Sequence, residues 1–151
     1  MGLYYEDLHV GQSWKSAART ITECDIATFA ALTSDMHPLH TDAEYCRTTE
    51  FGERIAHGFL VASLASGLGF RLQITDGTIT ANLGTSWKFK NPVKIGDTIH
   101  LIMTISEMRP SKSNPSQGVV GRSYEVRNQR NEVCAIGEVF VLFMRRPAVQ
   151  K

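Results

Sequence analysis

The segment Gly58–Phe70, reading GFLVASLASGLGF, carries no charged side chain and many small ones: Ala62, Ser63, Ala65, Ser66, Gly67 and Gly69. Its length suits a helix better than a buried strand. A helix that is apolar nearly all round has no face to give to water and should be buried on most sides. Small side chains let a curved sheet wrap closely around it. A surface helix would need a charged face, which this segment lacks.

The second half of the chain supplies strands for such a sheet. Thr78–Phe89 leads into a turn at Asn91-Pro92, and Trp87 and Phe89 alternate with Lys88 and Lys90 as in a half-buried strand. Gly96-Asp97 marks a turn, and Thr98–Met108 reads as the next strand. Arg109–Gly118, with two prolines, reads as a polar loop without regular structure. Val119–Arg127 and Glu132–Phe143 form a hairpin around Asn128–Asn131.

Upstream, residues 1–11 read as a lead-in ending in a turn at Gly11, and Ser13–Ile21 as a first strand. Thr22 caps a helix over 23–33 whose Ile26, Phe29, Ala30 and Thr33 recur at helical spacing. Ser34–His40 is a polar loop, and Thr41 or Asp42 caps a short helical turn containing Tyr45. One strand, helical elements and then four strands predict an α+β domain spanning 1–151. Its antiparallel sheet wraps around one long central helix, with no internal repeat or linker.

Composition narrows the function classes. The 151 residues are 42% apolar and 21% charged with a net charge of +1, ordinary values for a soluble domain with a full core. No basic helix or aromatic-rich motif points to nucleic acid. No apolar run reaches membrane-spanning length, and the first residues show no basic-then-apolar secretory pattern. Cys24, Cys46 and Cys134 are odd in number and widely spaced, so buried free thiols in a reducing, cytoplasmic setting are expected.

The chemistry concentrates at TSDMHPLHTD, Thr33–Asp42. Pro38 fixes its own φ and biases His37 towards an extended conformation, so the segment is not one unbroken helix. His40 titrates near neutrality and can serve as a base. Asp35 can orient that imidazole, hold a water or carry a proton. An equally economical reading makes Asp35 a cap and His40 a hydrogen-bonded organiser of the loop.

His57-Gly58 stands at the start of the apolar helix, where unpaired amides could stabilise charge developing on a substrate carbonyl. Gly58 could instead only ease entry into the helix, and His57 reads as a structural hydrogen-bonder. Ser66 could reach a cleft lined by Asp35 or bond back to its own backbone. No GxSxG elbow marks a nucleophilic serine. Asp35, His37, His40, Asp42 and His57 contain enough ligand types for a metal, but HxxH across a proline is weak and HExxH is absent.

Two segments carry a resemblance: Asp35–Asp42 followed by Tyr45, and Phe51-Gly52-Glu53-Arg54-Ile55-Ala56-His57-Gly58-Phe59-Leu60 followed by Ser66-Gly67. With Phe89–Val93 and Gly96-Asp97 downstream, the sequence resembles the MaoC-like hydratases of the hotdog-fold superfamily. In pattern it is similar to the (R)-specific enoyl-CoA hydratases. The resemblance implies reversible hydration of a trans-2-enoyl-CoA to an (R)-3-hydroxyacyl-CoA. Asp35 and His40 would form the hydration dyad, the Gly58 amide would bind the thioester oxygen, and Ser66 would support the dyad region. It also implies an acyl-CoA substrate and a homodimer or dimer of dimers joined at sheet edges. No cofactor beyond the substrate's own coenzyme A, and no metal, is expected.

One position departs from the family pattern: His37 stands where Asn usually precedes the proline. Lys88, Lys90 and Arg122 could touch phosphates, though surface solvation is the simpler reading for each. Arg109 and Lys112 could line a rim. Arg54 or Arg71 could meet a second substrate carboxylate, although a structural salt bridge is the simpler reading for each. A hotdog thioesterase and a noncatalytic acyl-thioester binding module are the rival functions. The first lacks its usual acidic residue in the central helix, since Gly58–Phe70 contains none.

Overall fold

The computed structural model describes residues 2–147, which follow one another as β1 (Ser13–Lys15), β2 (Arg19–Thr20), α1 (Glu23–Thr33), α2 (Pro38–Thr41), α3 (Ala43–Arg47), α4 (Gly58–Phe70), β3 (Ile79–Phe89), β4 (Thr98–Pro110), β5 (Gln117–Arg127) and β6 (Val133–Met144). The strands form one antiparallel sheet in the order β1-β4-β5-β6-β3, and β2 also pairs with β4. Alternation in β4 turns Ile99, Leu101, Met103 and Ile105 into the core. Val120, Tyr124 and Val126 of β5 do the same, with Val139, Val141 and Phe143 of β6. Each such aliphatic or aromatic side chain contributes about 1.5–3 kcal/mol when fully buried.

The charge-free helix α4 lies against this concave face, touching β4 and β6. Leu60, Val61, Ala62, Ala65, Leu68 and Gly69 are buried. A methyl group at Gly69 would stand 3.0 Å from Tyr124 Oη and 3.4 Å from Leu101 Cδ2, so the small residue sets how closely helix and sheet approach. Burial is less complete than the sequence predicts. Phe59, Ser63, Ser66, Gly67 and Phe70 form an exposed stripe, with Phe59 71% and Phe70 66% exposed. The sheet covers one side of α4, and the stripe faces away from it.

Three boundaries shift for local reasons. The strand expected over Ser13–Ile21 is two short ones, because four residue steps from Lys15 to Arg19 oppose three from Ile102 to Ile99 on β4. Buried Ser16 closes this bulge: its N–H donates to Leu101 O (2.8 Å), and its Oγ accepts the Leu101 N–H (2.9 Å). The expected loop Arg109–Gly118 shrinks, because Arg109 pairs with Val119 and Pro110 with Gly118 at the strand ends. Cys24 is exposed on α1 rather than buried, while Cys46 and Cys134 are buried as expected.

Candidate active site

The site begins at the end of α1. Thr22 caps this helix, its Oγ1 accepting the Asp25 N–H while Asp25 accepts the Thr22 N–H. The chain leaves through Ser34 in the left-handed region (φ 61°), and Asp35 follows. Thr33 Oγ1 donates to Phe29 O (2.7 Å) and accepts the Asp35 N–H (3.3 Å), tying the loop to the helix.

The expected loop Ser34–His40 ends in a helical turn, α2, because Pro38 is preorganised for the first helical position. His37, the departure from the family pattern, is its cap: Nδ1 accepts the Leu39 N–H at 3.2 Å. The imidazole thus supplies an acceptor at the helix start, and its ring lies edge-on to His40 with centroids 6.2 Å apart. Asp42 caps α3 by accepting the Tyr45 N–H (2.9 Å), and Thr41 Oγ1 instead donates to Met36 O and His37 O.

His40 projects from α2 and is half-buried. Its Nδ1–H donates to Ile55 O at 2.7 Å, which leaves Nε2 as the free acceptor of the neutral ring. Burial pushes its pKa below the ordinary 6.5; the Ile55 bond and the Asp35 charge oppose that shift, whereas His57 and His37 reinforce it. His40 is therefore a neutral imidazole at pH 7 with one nitrogen ready to take a proton.

His57 is 2% exposed and stacks on His40, with ring centroids 3.7 Å apart and planes 28° from parallel. Its Nε2–H donates to Asp35 O at 3.0 Å, fixing the backbone that carries the exposed Asp35 carboxylate. The structural role expected of His57 is the one observed. Ligand-type atoms of Asp35, His40 and His57 all lie within 4.8 Å of one another. Two acceptors sharing one water at about 2.8 Å each stand roughly 4.6 Å apart, so groups this close together are within reach of one bridging water.

His40 and Gly58 line the same cavity of about 310 Å³, with Phe51, Ile55, Val61, Phe89 and Lys90 among its walls. His57 precedes α4 with ψ 140° and provides no side-chain cap, so the first-turn amides are not capped from the helix start. A methyl group at Gly58 would stand 2.7 Å from the ring of the half-exposed Phe89, so a larger residue there would have to push that ring aside. Cys134 also borders this cavity, but burial pushes its thiol up to about 11, far from a reactive thiolate.

Ser66 falls elsewhere within this chain. It lines a second cavity of about 230 Å³ with Phe59, Ala62, Ser63, Trp87, Arg122 and Tyr124. Surface solvation, the simpler reading of Arg122, does not hold: the residue is 7% exposed. Alternation along β5 was the available signal, since Val120, Arg122, Tyr124 and Val126 share the inward face. Arg54 is engaged by Glu23 and Arg109 by Glu107, as structural ion pairs.

Residues 7–128 match the family model described as a MaoC like domain. The chain is 46% identical over 110 residues to an (R)-specific enoyl-CoA hydratase of Rhodospirillum rubrum, covering 72% of this chain and 74% of that protein. Among solved structures it is similar to one described as a monoamine oxidase regulatory protein from Archaeoglobus fulgius (36% identity, TM-score 0.90, 97% of each chain). It is also similar to a MaoC-like dehydratase from Rhodospirillum rubrum (33% identity, TM-score 0.87, 97% of this chain and 100% of that one). With an antiparallel sheet wrapped on a central helix and a family match over most of its length, this chain belongs to the MaoC-like family of hotdog-fold hydratases and dehydratases.

Proposed function

We propose that this chain is a hydro-lyase that adds water reversibly to a trans-2-enoyl-CoA, giving an (R)-3-hydroxyacyl-CoA, with Asp35 and His40 as its proton-transfer dyad. The observation that carries the assignment is a base-competent His40 Nε2 in one cavity with Gly58 at the start of α4. The thioester carbonyl oxygen sits at the Gly58 N–H. Negative charge developing there is stabilised by that amide and the positive end of the helix. His40 Nε2 takes a proton from the water as its oxygen attacks the β-carbon. Asp35, a carboxylate at rest, relays that proton from the imidazolium to the α-carbon, so both groups end as they began. Water and proton arrive from one side of the alkene, so addition is syn. The chemistry is acid–base throughout, and the proposed reaction calls on no cofactor or metal.

The functional form is a homodimer. β3 is an edge strand of the sheet; Leu83 and Phe89 on it are exposed, as are Phe59 and Phe70 of α4, and Phe89 meets Phe59 edge-on. A second copy paired along β3 would satisfy the edge and cover this apolar surface. A particle of twice the chain mass in light scattering is the expected result; a monomer at micromolar concentration contradicts it.

Crotonyl-CoA tests the activity directly. The conjugated enoyl-thioester absorbance should fall as a species heavier by one water accumulates, and chiral analysis should give the (R) product. Release of free CoA without a hydroxyacyl product would instead indicate a thioesterase. The pH dependence follows from His40. Its pKa lies below 6.5, so kcat/KM should be level around pH 7 and fall only on the acid side, through an apparent pKa under 6.5. Replacing Asp35 by Asn removes the charge that raises the His40 pKa, and should move the ring's NMR titration further to acid.

A further inference from the structure

Arg122 is the charged side chain in the wrong place for an ordinary sheet. It projects from β5 onto the concave face, between Ile105 of β4 and Val139 of β6 in register. Its Nε is buried with no hydrogen-bond partner, and none of the ion pairs among the described residues uses its guanidinium. Its neighbour is the Tyr124 ring, 5.3 Å from the guanidinium carbon. Leaving a buried cation without a carboxylate is costly, and hydrophobic packing would be satisfied by Leu or Met at this position. Burial accordingly lowers its pKa from the ordinary 12.5.

The cavity beside Arg122 is walled largely by apolar groups, but it also carries polar side chains that a simple acyl tunnel would not need. Ser63, Ser66, Asn82 and Thr85 line it together with Arg122 and Tyr124. It adjoins the cavity of His40 and Gly58 along the same two elements. Gly58, Val61 and Phe89 wall the first, whereas Phe59, Ala62 and Trp87 wall the second. Phe59 and Phe89 meet edge-on at the division, with centroids 6.3 Å apart. At about 1.5 Å per residue, Ala62 and Ser66 lie roughly 6 and 12 Å along α4 from Gly58. At about 1.25 Å of advance per bond, the far carboxylate of an extended six-carbon acyl chain lies roughly 6 Å from its thioester carbonyl.

We propose that Arg122 is a specificity-determining residue that receives a carboxylate at the far end of the acyl group, so that the substrates are enoyl thioesters of dicarboxylic acids. This rests on the hydratase reading above and adds the substrate class. The carboxylate supplies the anion that the buried guanidinium lacks, in a bidentate pair flanked by hydroxyl and amide groups. An acyl chain ending in a methyl group leaves the cation unpaired and binds more weakly.

The test compares trans-2-hexenoyl-CoA with trans-2-hexenedioyl-CoA, using the full chain and its Arg122→Met and Arg122→Lys variants. The wild type should favour the diacid by at least about tenfold in kcat/KM, mainly through KM. Arg122→Met should lose about 10–100-fold on the diacid, with less than a threefold change on hexenoyl-CoA. Arg122→Lys should recover part of the preference by restoring charge without the planar fork. Hydration of hexenoyl-CoA with no advantage for the diacid overturns the subsite and leaves the hydratase standing. An equal KM rise on both substrates assigns Arg122 to a CoA phosphate or to packing and overturns it too. Dissociation of Arg122→Met in gel filtration makes it a bridge between copies, with the same consequence. Failure of the folded wild type to hydrate either thioester removes the hydratase reading together with the subsite.

Discussion

Asp35→Asn and His40→Ala are each expected to lower kcat for enoyl-CoA hydration by about 10²–10⁴-fold, the range for a positioned acid or base. The double variant should be little worse than either alone, because the two groups act on one water and one alkene. The two substitutions separate chemistry from structure. Asp35→Asn is nearly isosteric at an exposed side chain, and the backbone carbonyl that holds His57 remains. Its folding stability should be close to that of the wild type. His40→Ala also removes the bond to Ile55 O and the stack on His57, and should cost some stability as well. In Asp35→Asn the KM for crotonyl-CoA should stay within a few-fold, because the cavity at Gly58 is untouched. A variant retaining more than a tenth of wild-type kcat would remove Asp35 from the proton transfer.

Asp97→Ala is expected to be the most destabilising single change outside the apolar core, by about 2–4 kcal/mol. The Asp97 side chain is 5% exposed. It accepts the Lys94 N–H (2.9 Å) and the Gln129 amide (2.7 Å), and it pairs with the more exposed Arg130 (3.2 Å). One carboxylate thus fastens the turn before β4 to the loop between β5 and β6. Removing it leaves those donors without their anion. Burial by itself would raise the Asp97 pKa, but the Lys94 N–H, Gln129 and Arg130 outweigh it and hold the carboxyl below the ordinary 3.8. A carboxyl with a depressed folded pKa contributes stability that is present above its unfolded pKa and lost as the pH falls through the folded value. Thermal melts at pH 7 should therefore separate Asp97→Ala from wild type by roughly 5–12 °C, with the gap closing below about pH 3.8. A constant gap from pH 7 to pH 2.5 would show that the loss is packing rather than charge.

The elements legible in the sequence were those set by local pattern. Thr22 gave the start of α1, the uncharged run gave α4 at its observed bounds, and alternation at Trp87–Lys90 together with the turn signals between apolar runs gave β3, β4, β5 and β6. What local pattern hides is pairing. The break between β1 and β2 comes from a register shift against β4, a partner some eighty residues away in sequence that places Ser16 Oγ on the Leu101 amide. The ends of β4 and β5 extend past Arg109 and Gln117 because each supplies the other's ladder, although proline and polar residues there read as loop.

The same division runs through the site. Asp35, His40 and Gly58 stood out as candidates by residue type and spacing, and the family resemblance supplied their roles. Their assembly needed the fold. Ile55 O selects the His40 tautomer, His57 pins the Asp35 backbone, and α4 brings Gly58 and His40 to one cavity. Ser66 shows the limit of reasoning along one helix. Two turns beyond Gly58, it turns towards Arg122 and Tyr124 instead of the His40 cavity. Arg122 shows the limit for charge: its type predicts solvent, and only the inward face of β5 under α4 makes it a buried cation. The sequence by itself determined which elements form and which groups can react, because propensity, periodicity and side-chain chemistry are local. Tertiary structure alone decided protonation, cavity membership and the placement of Arg122, because burial and partners come from segments distant in the chain.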